Sequence, residues 1–258
     1  MTRISRLILL AALGLSTAAA AQTSSPAPEA KDDWSGYAGA GAIGYSRYSG
    51  AQGMRAVPAP LLQFEYKGIA YVDILRAGVR FWGSEDKKMA LGIAAIPRFG
   101  FKGSDGSRLT GMAERHLSVN LGPSFEWSTP IVDLNVAYVA DVAGGSKGGE
   151  LHALLFKQLA DTTHWDIGVY TELERLDHRV ANYYFGVRPE EATADRPFYQ
   201  PGASTNWNLG LMGAYRINSR YALMFGVQNT RLGGAAAGSP IVETRSAKFG
   251  YVGLGWRL

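Results

Sequence analysis

Over Asn206 to Tyr215 large apolar groups recur at every second residue. Trp207, Leu209, Leu211 and Tyr215 share one phase with Gly213, and Asn206, Asn208, Gly210, Met212 and Ala214 fill the other. A period of two marks a strand with unlike faces. After Ile217 to Arg220, a tight turn, Tyr221, Leu223, Phe225 and Val227 oppose Ala222, Met224, Gly226 and Gln228. Leu117, Val119, Leu121, Phe125 and Trp127 likewise oppose Ser118, Asn120, Gly122, Ser124 and Glu126. Ser128-Thr129-Pro130 then turns the chain into Val132, Leu134, Val136 and Tyr138 against Asp133, Asn135 and Ala137. A third hairpin turns at Asp161-Thr162-Thr163, and its second strand sets Trp165, Ile167, Val169 and Leu173 against Asp166, Gly168, Glu172 and Glu174.

A soluble β-sandwich would also alternate, so the length and chemistry of the two faces decide. These strands run for about 10 residues or more, against ~5–6 in soluble sheets. Aromatic residues such as Trp127, Trp165, Trp207, Tyr215, Tyr221 and Trp256 fall at strand ends, like the interfacial girdles of membrane barrels. The second face is Gly, Asn, Asp and Glu rather than core aliphatics. The expected fold is therefore all-β, an antiparallel transmembrane β-barrel, since only a closed barrel satisfies strand backbone groups in lipid.

Turn lengths set the topology. Short turns near Lys67-Gly68, Gly83 to Lys88, Ser128 to Pro130, Asp161 to Thr163 and Ile217 to Arg220 are expected on the periplasmic side. The outer connections are then Ser49 to Ala56, a short one at Asp73 to Leu75, Lys102 to Gly111, Ala143 to Gly149, Asp177 to Ala203 and Gly233 to Arg245. This parity requires twelve strands, or ten if Ile69 to Trp82 is continuous. Val252, Leu254, Trp256 and Leu258 alternate with Gly253, Gly255 and Arg257, which marks about Lys248 to Leu258 as the barrel-closing strand that the barrel assembly machinery would read.

The first residues read as an export signal. Arg3 and Arg6 precede an apolar stretch from Leu7 to Leu15 and small residues to Ala19-Ala20-Ala21, giving a signal peptide over residues 1–21 cleaved before Gln22. A polar lead-in with Pro26 and Pro28 covers residues 22–33, and the barrel residues 34–258. No cysteine is present. Removing Arg3 and Arg6 lowers the formal charge from +4 to +2, so nucleic acid is not an expected partner.

Catalytic signatures are missing from the sequence. No G-x-S-x-G elbow occurs, and His116, His152, His164 and His178 never take zinc spacing. They read as polar residues at strand ends. No cofactor or metal is expected. Glu172 and Glu174 face inward with Asp177 and His178 just above. A hydrolytic group is conceivable there, against the plainer reading of lumen charges paired to Arg175, Arg179 or Arg188. Glu190-Glu191 reads as part of a surface ion-pair cluster with Arg188 and Arg196.

Asn182-Tyr183-Tyr184-Phe185-Gly186-Val187, Glu190-Glu191-Ala192 and Arg196-Pro197-Phe198-Tyr199 resemble the Y-Y-x-G-V…E-A…Y stretch of the MipA/OmpV family, the MltA-interacting proteins of the outer membrane. Arg231-Leu232 with Ser239-Pro240-Ile241-Val242-Glu243 and the closing strand extend the resemblance over the mature chain. Phe185, before Gly186, and the final Leu258 depart from the pattern. The resemblance implies an outer-membrane location and a scaffold joining a lytic transglycosylase to a penicillin-binding protein. Other members are tied to adhesion, permeability or antibiotic response, and no catalytic residue is carried over.

Tyr183, Tyr184, Gly186, Glu191 and Tyr199 fall in one long outer loop, and Ser239, Pro240, Ile241 and Val242 in the other. The pairing suggests a structured cap or interaction surface, with Tyr183, Tyr184, Phe198 and Tyr199 supplying apolar contacts. Two mobile loops are the alternative. For function, a non-enzymatic scaffold stands beside a small-solute channel, which Asp133, Asn135, Asp166, Asn206 and Asn208 would line, and a barrel hydrolase. Outer-membrane lipid surrounds the protein in every version.

Overall fold

A computed structural model describes residues 33–258. The expected signal peptide and lead-in lie outside the described residues, apart from Asp33. Twelve antiparallel strands form one closed barrel. They are β1 (Trp34–Ser46), β2 (Met54–Tyr66), β3 (Ala70–Asp73), β4 (Arg76–Gly83), β5 (Met89–Arg98), β6 (Ser118–Ser128), β7 (Asp133–Asp141), β8 (Gly149–Asp161), β9 (Trp165–Leu176), β10 (Ser204–Arg216), β11 (Tyr221–Arg231) and β12 (Ser246–Arg257). Each pairs with its neighbours in sequence, and β12 closes the ring against β1 from Phe249 opposite Tyr45 to Arg257 opposite Tyr37. The ring is continuous through all twelve strands, with β3 and β4 the shortest links in it.

The ten-strand alternative fails at Ile74. This residue takes a positive φ of 46° and turns β3 into β4 with Leu75, so the hairpin reaches only to Leu62, whose carbonyl accepts from Ile74 N–H at 2.8 Å. At the other end, Lys67 and Gly68 both have positive φ, which closes a tight two-residue turn between β2 and β3.

Alternation assigns the faces. Trp207, Leu209, Leu211, Leu223, Val227, Val252 and Leu254 are exposed toward lipid, while Asn206, Asn208, Met224 and Ala222 are buried in the lumen. Trp34, Trp82, Trp127, Trp165, Tyr221 and Trp256 form an exposed ring at the short-turn end. Paired rings such as Tyr221 with Trp256, 5.2 Å between centroids, knit that girdle together. Trp207 sits apart from it, toward the long-loop end. Lumenal glycines seat aromatic neighbours: Tyr170 lies against Gly210 and Tyr251 against Gly226, where any Cβ would collide with the ring.

Candidate functional site

The long loops close the outer mouth over a core of their own. The chain leaves β9 into a helix, α1 (His178–Phe185), whose first turn is capped by Asp177 accepting from Arg179 and Val180 N–H at 2.9 and 2.8 Å. Helical spacing puts Val180, Ala181, Tyr184 and Phe185 on one buried face. That face packs with Leu109 and Met112 from the β5–β6 loop, Tyr48 and Ala51 from the β1–β2 loop, and Ile241 and Val242 from the β11–β12 loop. A second short helix, α2 (Gly234–Ala237), adds Ala236.

Polar locks sit inside this core. Arg115 makes a two-pronged pair with Glu191 at 3.0 and 2.8 Å and donates to the Tyr183 carbonyl at 2.7 Å. Both side chains are at most 3% exposed. Glu191 also accepts from Ala113 and Arg188 N–H. Burial disfavours its charge, but the hydrogen bonds from Arg115 and these backbone groups outweigh burial and hold the carboxyl below its ordinary value. Arg196, also buried, donates to the carbonyls of Glu191, Arg108 and Thr110. Ser239 Oγ donates to the Phe185 carbonyl at 2.6 Å, and Tyr199 Oη to that of Ala235 at 2.7 Å. Val187 and Tyr199 exchange two backbone hydrogen bonds.

The loop residues singled out in sequence thus meet in one place. Tyr184, Gly186, Glu191, Ser239, Ile241 and Val242 are buried, and Tyr183, Tyr199 and Pro240 are partly so. Gly186 is fixed by space, because a Cβ would collide with the Asn182 carbonyl. Phe198 is 53% exposed and adds nothing to the core. Glu191 belongs to no surface cluster; its partner is Arg115, 76 residues away, and the Arg188 side chain makes no pair with it. In the closing strand, Val252, Leu254, Trp256 and Leu258 all face outward, exposed to lipid or interface.

Below the cap a second constellation crosses the lumen. Arg98 grips Glu150 through two bonds at 2.5 and 2.9 Å and also holds Glu174. His152 bridges Glu150 at 3.1 Å and Glu172 at 2.9 Å. Arg76 joins Glu172 to Asn135, while Asn206, Asn208 and Asn120 donate to Glu174, Glu172 and Glu150. Three carboxylates face two guanidiniums, and charge balances when both His152 nitrogens carry protons and donate. The partners expected for Glu172 and Glu174 were Arg175, Arg179 or Arg188; Arg76 and Arg98 take that role because they project inward from β4 and β5. His152 is likewise no strand-end residue but part of the inward face of β8 with Glu150.

The chemistry available here is limited by how fully the groups are engaged. Glu150, His152 and Glu174 bring ligand atoms within 4.8 Å of one another, yet Arg98 already lies against both carboxylates, and a metal would have to displace a guanidinium. The Asp177 and His178 pair does not form as a catalytic unit. Asp177 spends its oxygens on Arg179, Val180 and Gly149 N–H, and His178 is exposed. Similarly, the glycine loop after β7 wraps its N–H groups around Asp141, from Ala143, Gly144, Ser146 and Lys147, so its anion site is filled from within.

The profile of the family described as MltA-interacting protein MipA matches residues 38–258. Outer membrane protein Omp26La of Vibrio anguillarum is 28% identical over 186 residues, which cover 71% of this chain and 72% of that protein. Outer membrane protein OmpV of Vibrio cholerae serotype O1 is equally similar, 28% over 186 residues with the same coverage. Among solved structures, Pseudomonas putida OprB aligns with a TM-score of 0.38 and 11% identity over 71% of this chain, which spans only 47% of that structure. With its twelve-stranded closed barrel and lipid-facing apolar band, this chain belongs to the family of the MltA-interacting protein MipA and is a β-barrel of the outer membrane.

Proposed function

We propose that the protein is a closed, non-enzymatic barrel that binds murein-remodelling enzymes at the outer membrane, with a lytic transglycosylase as the partner its family description points to and a penicillin-binding protein as the second partner that the sequence resemblance implies. The observation that carries this reading is the sealed outer mouth. A loop core with a buried Arg115–Glu191 lock and a side-chain network spanning the lumen suit a rigid platform better than an open pore. Murein lies on the periplasmic side, so docking falls to the short turns Lys67 to Ile69, Ser84 to Lys88, Thr129 to Val132, Thr162 to His164 and Ile217 to Arg220. The cap residues, on the opposite end, shape the barrel and do not touch such partners.

Affinity capture from detergent-solubilised envelopes tests the proposal. Recovery of a lytic transglycosylase, lost on replacing turn residues Asp86 and Lys88, supports it; recovery of the barrel alone contradicts it. A second reading, a small-solute channel, draws on a lumenal cavity of about 780 Å³ lined in part by Arg80, Glu126, Asp133, Asn135 and Gln158. It requires the cap to open.

A further inference from the structure

The barrel wall is incomplete on one side. β2 pairs with β3 only from Gln63 to Tyr66, so among the described residues Met54 to Leu62 have no strand beside them on that edge. At ~3.3 Å per residue and a tilt near 40°, this stretch rises about 20 Å up the wall. Across the gap, β5 pairs with β4 only up to Ala95, leaving Ile96, Pro97 and Arg98 without a strand partner on that side among the described residues. β2 and β5 make no sustained contact with each other. The short hairpin, tipped by Ile74 and Leu75, is the sill. Arg55 bonded to Asp105, and Tyr45 stacked on Phe99 at 5.0 Å, form the lintel.

Both edges are built to stand unpaired. Because the Leu62 carbonyl points at the hairpin, even-numbered residues of β2 direct their backbone groups into the gap. Pro58 and Pro60 are in that phase. On β5, the Met89 carbonyl accepts from Ser84 N–H of the neighbouring turn, so odd-numbered residues face the gap side, and Pro97 is among them. Three proline residues therefore remove N–H donors where the described residues offer no acceptor, and the N–H groups of Met54 and Ala56, nearest the long-loop end, remain in that phase. An unpaired donor is strongly disfavoured in hydrocarbon, and Met54, Ala56, Pro58 and Pro60 are exposed on the outward, lipid-facing side of β2.

What lies behind the β2 edge is apolar. Leu61, Met224 and Tyr251 are buried in the lumen with Ile43, Ile74 and Phe249 packed on them; Ile74 at the hairpin tip and Ile96 and Pro97 on the unpaired end of β5 also line the cavity, as does Phe99. This half of the lumen differs from the half that holds Arg76, His152 and Glu172. Tyr251 Oη and Asp73 Oδ1, buried with no hydrogen-bond partner among the described residues, sit where the two halves meet.

We infer that the gap between β2 and β5 is a lateral entrance, through which an acyl chain of an outer-leaflet lipid enters the apolar half of the lumen. The occupant is assigned by continuity: the opening faces bilayer hydrocarbon, three prolines thin out the donors on its rim, the lumen wall behind β2 is aliphatic and aromatic, and the long loops pack over the outer mouth above it. The chain ends at Tyr251 and Asp73, where polar groups begin.

The absence of cysteine makes a direct test available. The full chain carrying Ile96→Cys is labelled with a fluorophore and reconstituted in phosphatidylcholine vesicles containing lipid with a doxyl quencher on the acyl chain. Ile93→Cys on the lipid face and Gln158→Cys on the opposite lumen wall are the references. Retained heat-modifiable gel mobility identifies folded barrels. The expected result is quenching at Ile96→Cys equal to that at Ile93→Cys, and loss of most of it when Ile74→Trp is added to narrow the sill, with Ile93→Cys unaffected. Quenching at Ile96→Cys no greater than at Gln158→Cys overturns the entrance, as does quenching that Ile74→Trp leaves unchanged in a folded barrel.

Discussion

Replacing Glu191 by alanine removes the acceptor for four hydrogen bonds, two from Arg115 and one each from Ala113 and Arg188 N–H. It also strands a guanidinium that is 1% exposed. Breaking a buried pair from one side costs about 3–5 kcal/mol. The cost falls on the cap, because Arg115 and Glu191 both lie in loops and the strand ladder is untouched. At 1.4 kcal/mol per decade, about 3 kcal/mol raises the open population of the cap roughly a hundredfold. Proteolysis on intact cells reads this directly when opening is faster than cleavage. Cutting within Asp177 to Ala203 should accelerate by about that factor, while heat-modifiable mobility of the barrel stays as it was. Cleavage at the wild-type rate in Glu191→Ala would refute the claim that this pair holds the mouth shut.

Three further outcomes follow from the same geometry. The Glu191 carboxyl is held below its ordinary value of 4.5, so its contribution is full above pH 4.5 and is lost as pH falls through the lower folded value; pepsin should find the cap resistant near pH 5 and increasingly open below 4.5. Asp177→Ala removes the α1 cap, worth about 1 kcal/mol, and should raise amide exchange in His178–Phe185 without changing exchange in β9. Glu150→Gln leaves Arg98 short of its two-pronged partner in a site 12% exposed or less, at a cost of about 3–5 kcal/mol, and should lower the temperature at which the folded gel mobility is lost.

The barrel was legible because alternation and turn length are local. Asn206 to Tyr215 and Tyr221 to Gln228 declare their faces without reference to the rest of the chain, and short turns alternating with long loops count the strands. Even the abbreviated hairpin at Asp73 to Leu75 was visible as a break. The ion network was not, because its partners are distant in sequence: Arg98 meets Glu174 across 76 residues and Arg76 meets Glu172 across 96. Two-phase reading of β8 would have found one piece of it, since Glu150 and His152 share the inward phase with Leu154 and Phe156. The cap was legible as a set of residues but not as contacts. Arg115, the partner of Glu191, lies in a different loop, and nothing in the run Pro197-Phe198-Tyr199 tells which aromatic turns inward. The lateral opening depends on where the hairpin stops relative to Pro58, Pro60 and Pro97, a matter of register that composition does not carry.

The sealed outer mouth is the claim on which the rest stands, and single-channel recording in planar bilayers tests it most directly. Purified protein should give no stepwise current, and a variant lacking residues 178–203 of the cap should give steps that the wild type does not. Stable stepwise conductance from the intact wild-type barrel would contradict the account.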